Sequence, residues 1–173
     1  MRSAWGPDPV RHEGEFYRIA PSQVNPKPVQ SRVPVLLAAN APAAVKRAGR
    51  IADGVIPIAS SVEELRGIVS TLHDAAREAG RDPADLMVVN QVPWPTPVTL
   101  EPIGEGRPFL GGSPRQIAED LAAARESGAT QVYLAGGQGL GLDVGLQADD
   151  VDPWLGLLGE VIEAADRLGV LAP

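Results

Sequence analysis

The chain has 173 residues, 44% of them apolar and 21% charged, with a formal net charge of −7 and no cysteine. That length suffices for one domain burying roughly 70% of its unfolded surface. The acidic balance argues against nucleic acid or an anionic membrane as the main partner, and the missing cysteine excludes disulfides, thiolate metal sites and cysteine nucleophiles.

Residues 1–32 differ in character from the rest. Trp5-Gly6-Pro7-Asp8-Pro9 is turn chemistry. Val10 to Ile19 reads as a small hairpin, with Glu13-Gly14 near the turn and Phe16-Tyr17 on the return strand. Pro21, Pro26 and Pro28 keep Ala20 to Gln30 extended. Residues 33–173 then alternate strand and helix, and 1–173 is expected to be a single domain.

The stretch from Val33 to Ile58 is a strand–helix–strand unit. Val35, Leu36 and Leu37 form a short apolar run of the kind buried on both faces. Asn40 is placed to cap the following helix, and Pro42 sits in its first turn, where a missing N–H costs nothing. Ala41, Ala44, Val45, Ala48, Ile51 and Ala52 fall on one face, with Lys46, Arg47 and Arg50 on the other. Asp53-Gly54 ends the helix, and Val55 to Ile58 is the next strand.

Ser60-x-x-Glu63 and Ser61-x-x-Glu64 are both capping-box patterns. Leu65, Ile68, Val69, Leu72, Ala76 and Ala79 mark the buried stripe of the helix they open, and Gly80 is its C′ residue. Asp82 to Asp85 turns the chain into a strand over Met87 to Val92, which Pro93, Pro95 and Pro97 end. A Gly- and Pro-rich loop, 98–112, leads to Ser113-Pro114-Arg115-Gln116, an N-cap, an N1 proline and an N3 glutamine. Ile117, Ala118, Leu121 and Ala124 face inward, and Ser127-Gly128 closes that helix. Gln131 to Ala135 is a strand, Gly136 to Gly145 a glycine-rich loop, and Asp152-Pro153 a second cap and N1 pair. The last helix carries Leu155, Leu158, Val161, Ile162, Ala165 and Leu168. Four consecutive βα units imply a parallel sheet.

The segments HEGEFYRI, PKPVQSRVPVLLAANAPAAVKRAGRIADGVIPI and GGSPRQIAEDLAAARESGATQVYL resemble the C-terminal half of the luciferase-like monooxygenase family. That resemblance implies a TIM barrel, of which this chain would supply strands five to eight. The fold expected is therefore α/β, a partial TIM barrel of four parallel βα units preceded by a short hairpin. The first four strands are expected upstream of Met1, since a complete barrel typically needs ~250 residues.

By the same resemblance the chain belongs to F420- or flavin-dependent oxidoreductases, with F420 or FMN as cofactor and a small-molecule substrate. The cofactor's phosphate end is expected at Ala38, Ala39, Asn40 and Ala41, where family members often carry two glycines, and at Ser60 and Ser61. The other account of the first group is a strand–helix corner, and of the serines, N-capping alone. No catalytic residue is implied, because the half that would hold most of them is missing. Lys46, Arg47 and Arg50 face either an acidic cofactor tail or solvent.

Gly136 to Gly145 does not fit G-x-G-x-x-G, because position 142 is leucine. His12 and His73 lack carboxylates at ligand spacing, so no metal site is expected; His73 reads as solvated. Glu63, Glu64, Glu119 and Asp120 are assigned to first turns, serving the helix dipole. No apolar run approaches the ~20 residues of a membrane span, and no signal-like segment opens the chain, so a cytoplasmic protein is expected. Four strands leave two open edges. A homo-oligomer is expected, or a partner supplying the missing half-barrel. The alternative to an enzyme is a non-catalytic remnant or partner subunit that keeps the half-barrel and a phosphate-binding loop.

Overall fold

The computed structural model describes residues 2–92, 97–133 and 151–171. The chain divides into two compact units, Met1–Pro34 and Val35–Pro173.

In the first unit, β1 (Val10–Glu13) and β2 (Arg18–Ser22) pair antiparallel, with His12 opposite Ile19 and Glu13 opposite Arg18. Phe16 and Tyr17, expected on the return strand, lie instead in the connection before it, and both are exposed. The hairpin needs them there: the Gly14 N–H donates to the Tyr17 carbonyl at 2.9 Å, which closes the turn. Lys27 donates to the Asp8 carboxylate at 2.7 Å and to the Ala4 carbonyl at 3.3 Å, tying the proline-rich stretch to the start of the chain. The lysine and the Val24 N–H hold the Asp8 carboxyl below its ordinary pKa.

The second unit contains one parallel sheet in the order β3-β4-β5-β6. Its strands are β3 (Leu36–Ala38), β4 (Gly54–Ile56), β5 (Met87–Gln91) and β6 (Gln131–Tyr133). Helices α1 (Pro42–Ile51), α2 (Val62–Glu78) and α3 (Pro114–Glu126) make the crossovers, and α4 (Val151–Arg167) follows the last strand. The paired strands are shorter than the apolar runs. Val35 gives way to Ala38 in β3, and Pro57-Ile58 falls outside β4, because a proline has no N–H for the ladder. Leu134, Ala135 and the glycine-rich loop Gly136 to Gly145 lie outside the described residues. Asp152 and Pro153 fall inside α4 and not ahead of it.

Val55 and Val88 pack against Val45, Ala48, Leu65 and Leu72 to form the core between sheet and helices. Leu37 and Val132 join the same cluster. Strand alternation then sends Leu36, Ile56, Met87, Val89, Gln91 and Tyr133 to the opposite face. Gly54 permits the close approach of β5: a Cβ there would collide with the backbone of Met87. Asp53 locks the other end of the sheet. It is buried, and its carboxylate accepts the Val35 N–H at 2.8 Å while its own N–H reaches the Val35 carbonyl at 2.8 Å.

The helix stripes are narrower than their spacing suggests. Ile51 and Ala79 are exposed, because both sit where their helix ends beyond the core. Gly49 and Ala75 are buried instead, at the crossing of α1 and α2, where a Cβ on Gly49 would lie 2.9 Å from that of Ala75. Among the described side chains of α4, Val161 and Ala165 are buried while Leu155 and Ile162 face outward, as does Leu168 just past its end. Gly80 (φ +70°) and Gly128 (φ +99°) take the left-handed C′ position after α2 and α3. The residue after each donates back into the last turn, Arg81 to Ala76 and Ala129 to Ala124.

Candidate functional site

In parallel α/β sheets, ligands gather at the carboxyl ends of the strands. Here that rim contains the starts of α1 and α2, which differ in a way that matters for an anion. The α1 N-cap is Ala41, with no side-chain oxygen to offer; Pro42 follows, and the first turn holds no acidic residue. The positive end of this helix is therefore left without an internal counter-charge.

Asn40 does not cap α1, as its position suggested. Its side chain turns to the neighbouring strand, where Oδ1 accepts the Ile58 N–H at 3.0 Å and Nδ2 donates to the Ile58 carbonyl at 2.7 Å. Both groups of the residue after Pro57 are thus satisfied by one amide, which continues the β3–β4 pairing past its last backbone bond. Ala38 is exposed on the uncovered sheet face, whereas Ala39 (8% exposed) packs into the core, so its methyl group is turned away from the rim.

The start of α2 is filled from within. Ser61 is the N-cap and accepts the Glu64 N–H at 3.1 Å, while the Glu64 carboxylate accepts the Ser60 N–H at 2.7 Å. Of the two overlapping capping patterns, the Ser61–Glu64 one forms, with the carboxylate reaching one residue further back than usual. Glu64 occupies the place an external anion would take. The next amide inward, Ala59 N–H, donates to Asn90 Oδ1 at 3.0 Å. Asn90 is fully buried, and its Nδ2 has no hydrogen-bond partner among the described residues.

Loop 98–112 is held to α3 by Asp120 and Gln116. Arg107 meets Asp120 in a two-pronged pair at 2.6 and 2.8 Å, and Asp120 also accepts the Leu110 N–H. Asp120 lies in the middle of α3 and is buried, so it orders this loop and does not serve the helix dipole. The pairing raises the pKa of Arg107. Gln116 accepts the Ser113 and Ile103 N–H groups and donates to the Ile103 carbonyl at 2.7 Å, acting as capping residue and loop clamp together.

Among the charges singled out in the sequence, Lys46, Arg47 and Arg50 are exposed on α1, and Arg50 lies 3.6 Å from Glu78. His73 is only partly exposed, and burial lowers its pKa, helped by Arg77 and opposed by Asp74. Spacing also missed Arg81, which donates to the carbonyls of Gly49 and Ala52 at 2.6 Å each and so caps the end of α1 from the end of α2. The signal available was a lone arginine just past a helix-ending glycine.

The family model described as luciferase-like monooxygenase matches residues 1–94. A 5,10-methylenetetrahydromethanopterin reductase of Methanopyrus kandleri is 36% identical over 74 residues, covering 42% of this chain and 21% of the relative. An F420-dependent glucose-6-phosphate dehydrogenase of Mycolicibacterium gilvum is 33% identical over 88 residues, covering 50% and 26%. Among solved structures, a monooxygenase of Streptomyces bottropensis superposes with TM-score 0.66 at 18% identity, over 94% of this chain and 57% of that one. An F420-dependent secondary alcohol dehydrogenase gives 0.65 at 15% identity, over 92% and 58%. The chain spans little more than half the length of those solved proteins and about a quarter or less of these two curated relatives. The superpositions establish an α/β fold matching luciferase-like TIM-barrel proteins, and the match over the first 94 residues makes the chain a member of the luciferase-like monooxygenase family, whose curated relatives include F420-dependent enzymes.

Proposed function

We propose that this chain is the C-terminal half of an F420- or FMN-dependent oxidoreductase or monooxygenase, holding the phosphate end of the cofactor at the start of α1. The carrying observation is the contrast between the two helix starts: α1 lacks both a capping side chain and an acidic first turn, whereas Glu64 fills the start of α2. An anion fits the first and is excluded from the second. The Ala41 and Ala43 N–H groups would meet the phosphate, since the Ala44 N–H already donates to the Ala41 carbonyl at 2.9 Å, with Asn40 holding the loop in place through Ile58. Ser60 and Ser61 act through loop structure. The bound cofactor would supply hydride transfer or oxygen activation, and the protein its orientation.

The uncovered sheet face supports the half-barrel. Purely parallel sheets are covered on both sides, yet Ile58 and Tyr133 are exposed and helices pack on the other face. At the β6 edge an apolar groove of about 570 Å³ is lined by Leu121, Val132, Leu158, Ile162, Val170 and Leu171. Four more parallel strands with their helices, from a second copy or a partner chain, would cover both features. Light scattering of the purified chain tests this, and a stable, folded monomer at micromolar concentration would count against it.

The cofactor reading is tested by titrating the chain with FMN and F420 and following fluorescence quenching. Saturable binding that weakens when the α1 start is given its own carboxylate is the result expected. Failure of both cofactors at tens of micromolar leaves the second reading, a non-catalytic remnant or partner subunit. That reading is favoured by Ala38, whose exposed methyl group stands where bare backbone is common in the family, whereas the Ala39 methyl is turned into the core.

A further inference from the structure

We infer that Gln91 and Tyr133 form the ligand-selecting wall of the site, and that this wall takes a neutral alcohol or carbonyl compound in preference to a phosphorylated one. The inference rests on the reading of the uncovered sheet face as the inner wall of a barrel, and goes beyond it by naming the group that the wall recognises.

The two residues are paired in register, Gln91 opposite Tyr133, at the carboxyl ends of β5 and β6. Their direction follows from their neighbours. Val88 is fully buried against the helices, Asn90 is fully buried two residues on, and Val132 packs into the same core. Alternation therefore turns Gln91 and Tyr133 to the other side. Tyr133 is 56% exposed there, although it stands on a strand of the parallel sheet. Neither side chain makes a hydrogen bond among the described residues; Gln91 is tied down only by its backbone N–H, which donates to the Pro57 carbonyl at 2.8 Å.

The chemistry of the surrounding face narrows the ligand. Leu36, Ile56, Met87 and Val89 share it, and the described strands β3 to β6 contain no charged residue. A phosphate or carboxylate moved against such a wall would lose its hydration without gaining a cation from these described strands. Arg107, on the loop between β5 and α3, is already held by Asp120. An amide and a phenol over an apolar floor offer donors and acceptors suited to one uncharged oxygen.

The chain contains two tyrosines, Tyr17 and Tyr133, so incorporation of 3-fluorotyrosine yields two fluorine resonances, assigned with the Tyr17→Phe variant. The full chain is titrated with cyclohexanone and, separately, with glucose 6-phosphate, each with and without FMN. The expected result is a saturable shift of the Tyr133 signal with cyclohexanone, none with glucose 6-phosphate, and a still Tyr17 signal. In Gln91→Leu, checked for native circular dichroism, the apparent affinity for cyclohexanone falls about fivefold, the loss of one hydrogen bond. A Tyr133 signal that ignores cyclohexanone, or follows glucose 6-phosphate equally, overturns the inference. FMN binding with a silent Tyr133 refutes this wall alone; a responsive Tyr133 in a chain that takes neither FMN nor F420 supports the wall and refutes the cofactor reading.

Discussion

Asn40 holds Ile58 by both of its backbone polar groups, with bonds of 3.0 Å to the N–H and 2.7 Å from the amide to the carbonyl. One exposed side chain thereby splices the loop after β3 to the loop after β4, and the start of α1 to the approach of α2. Replacing Asn40 with alanine removes both bonds and should destabilise the fold by about 1–2 kcal/mol. Asn40→Asp keeps the acceptor but sets a carboxylate against the Ile58 carbonyl, so it should be no better than alanine. Urea unfolding followed by circular dichroism measures both.

Ala41 stands at an N-cap position with φ −63° and ψ 135°, a conformation that capping residues adopt readily. Ala41→Asp should therefore stabilise the chain by about 0.5–1 kcal/mol. The same carboxylate would compete for the amides assigned to the cofactor phosphate, so FMN or F420 affinity should fall as stability rises. Parallel thermal melts and fluorescence titrations check the opposed signs; tighter binding in the variant would remove the start of α1 from the site.

Breaking the Arg107–Asp120 pair leaves a partly buried guanidinium without its partner and frees the Leu110 N–H. Asp120→Ala should cost about 3 kcal/mol. The loss should appear first in loop 98–112, as faster limited proteolysis there, before global unfolding. The apolar double variant Arg107→Met with Asp120→Leu should recover part of the stability.

A methyl group on Gly54 collides with the Met87 backbone in the adjacent strand. Gly54→Ala should destabilise by about 1–3 kcal/mol through overpacking. Gly67 on the outer side of α2 meets nothing within 4 Å. Gly67→Ala there should instead stabilise by about 0.5–1 kcal/mol. Comparing the two denaturation midpoints separates a steric requirement from a merely flexible residue.

The pKa of His73 is lowered by burial from its ordinary 6.5. The unfolded chain therefore binds this proton first as the pH falls. The contribution of His73 to stability is present above pH 6.5 and is lost as the pH drops from there to the folded-state value, levelling off below it. His73→Gln should flatten stability across that window. A pH series of urea midpoints on both proteins would show it, and an unchanged slope would mean that other groups carry the dependence.

Local chemistry made much of this fold readable. Pro42 and Ser113-Pro114 mark their helix starts because an N1 proline, with its fixed φ and missing N–H, suits the first turn whatever lies elsewhere in the chain. Gly80 and Gly128 mark ends for the same reason: a left-handed residue is a local demand. The βα alternation followed from apolar runs whose period is set by the backbone, while the family resemblance rests on specific segments such as HEGEFYRI and GGSPRQIAEDLAAARESGATQVYL. The sequence also singled out the loops after β3 and β4, though not which of the two helix starts lacks a capping side chain.

Tertiary structure decided the rest, because the deciding partners lie far apart along the chain. Asn40 has the look of a cap, but Ile58, eighteen residues on, offers it two bonds where the helix offers one. Glu64 fits a capping box, yet only its position over the Ser60 N–H closes that helix to a ligand. Asp120 resembles any acidic helix residue until Arg107 folds back upon it. The inward or outward direction of Gln91 and Tyr133 depends on which strand face the helices cover, and no window of sequence contains that choice.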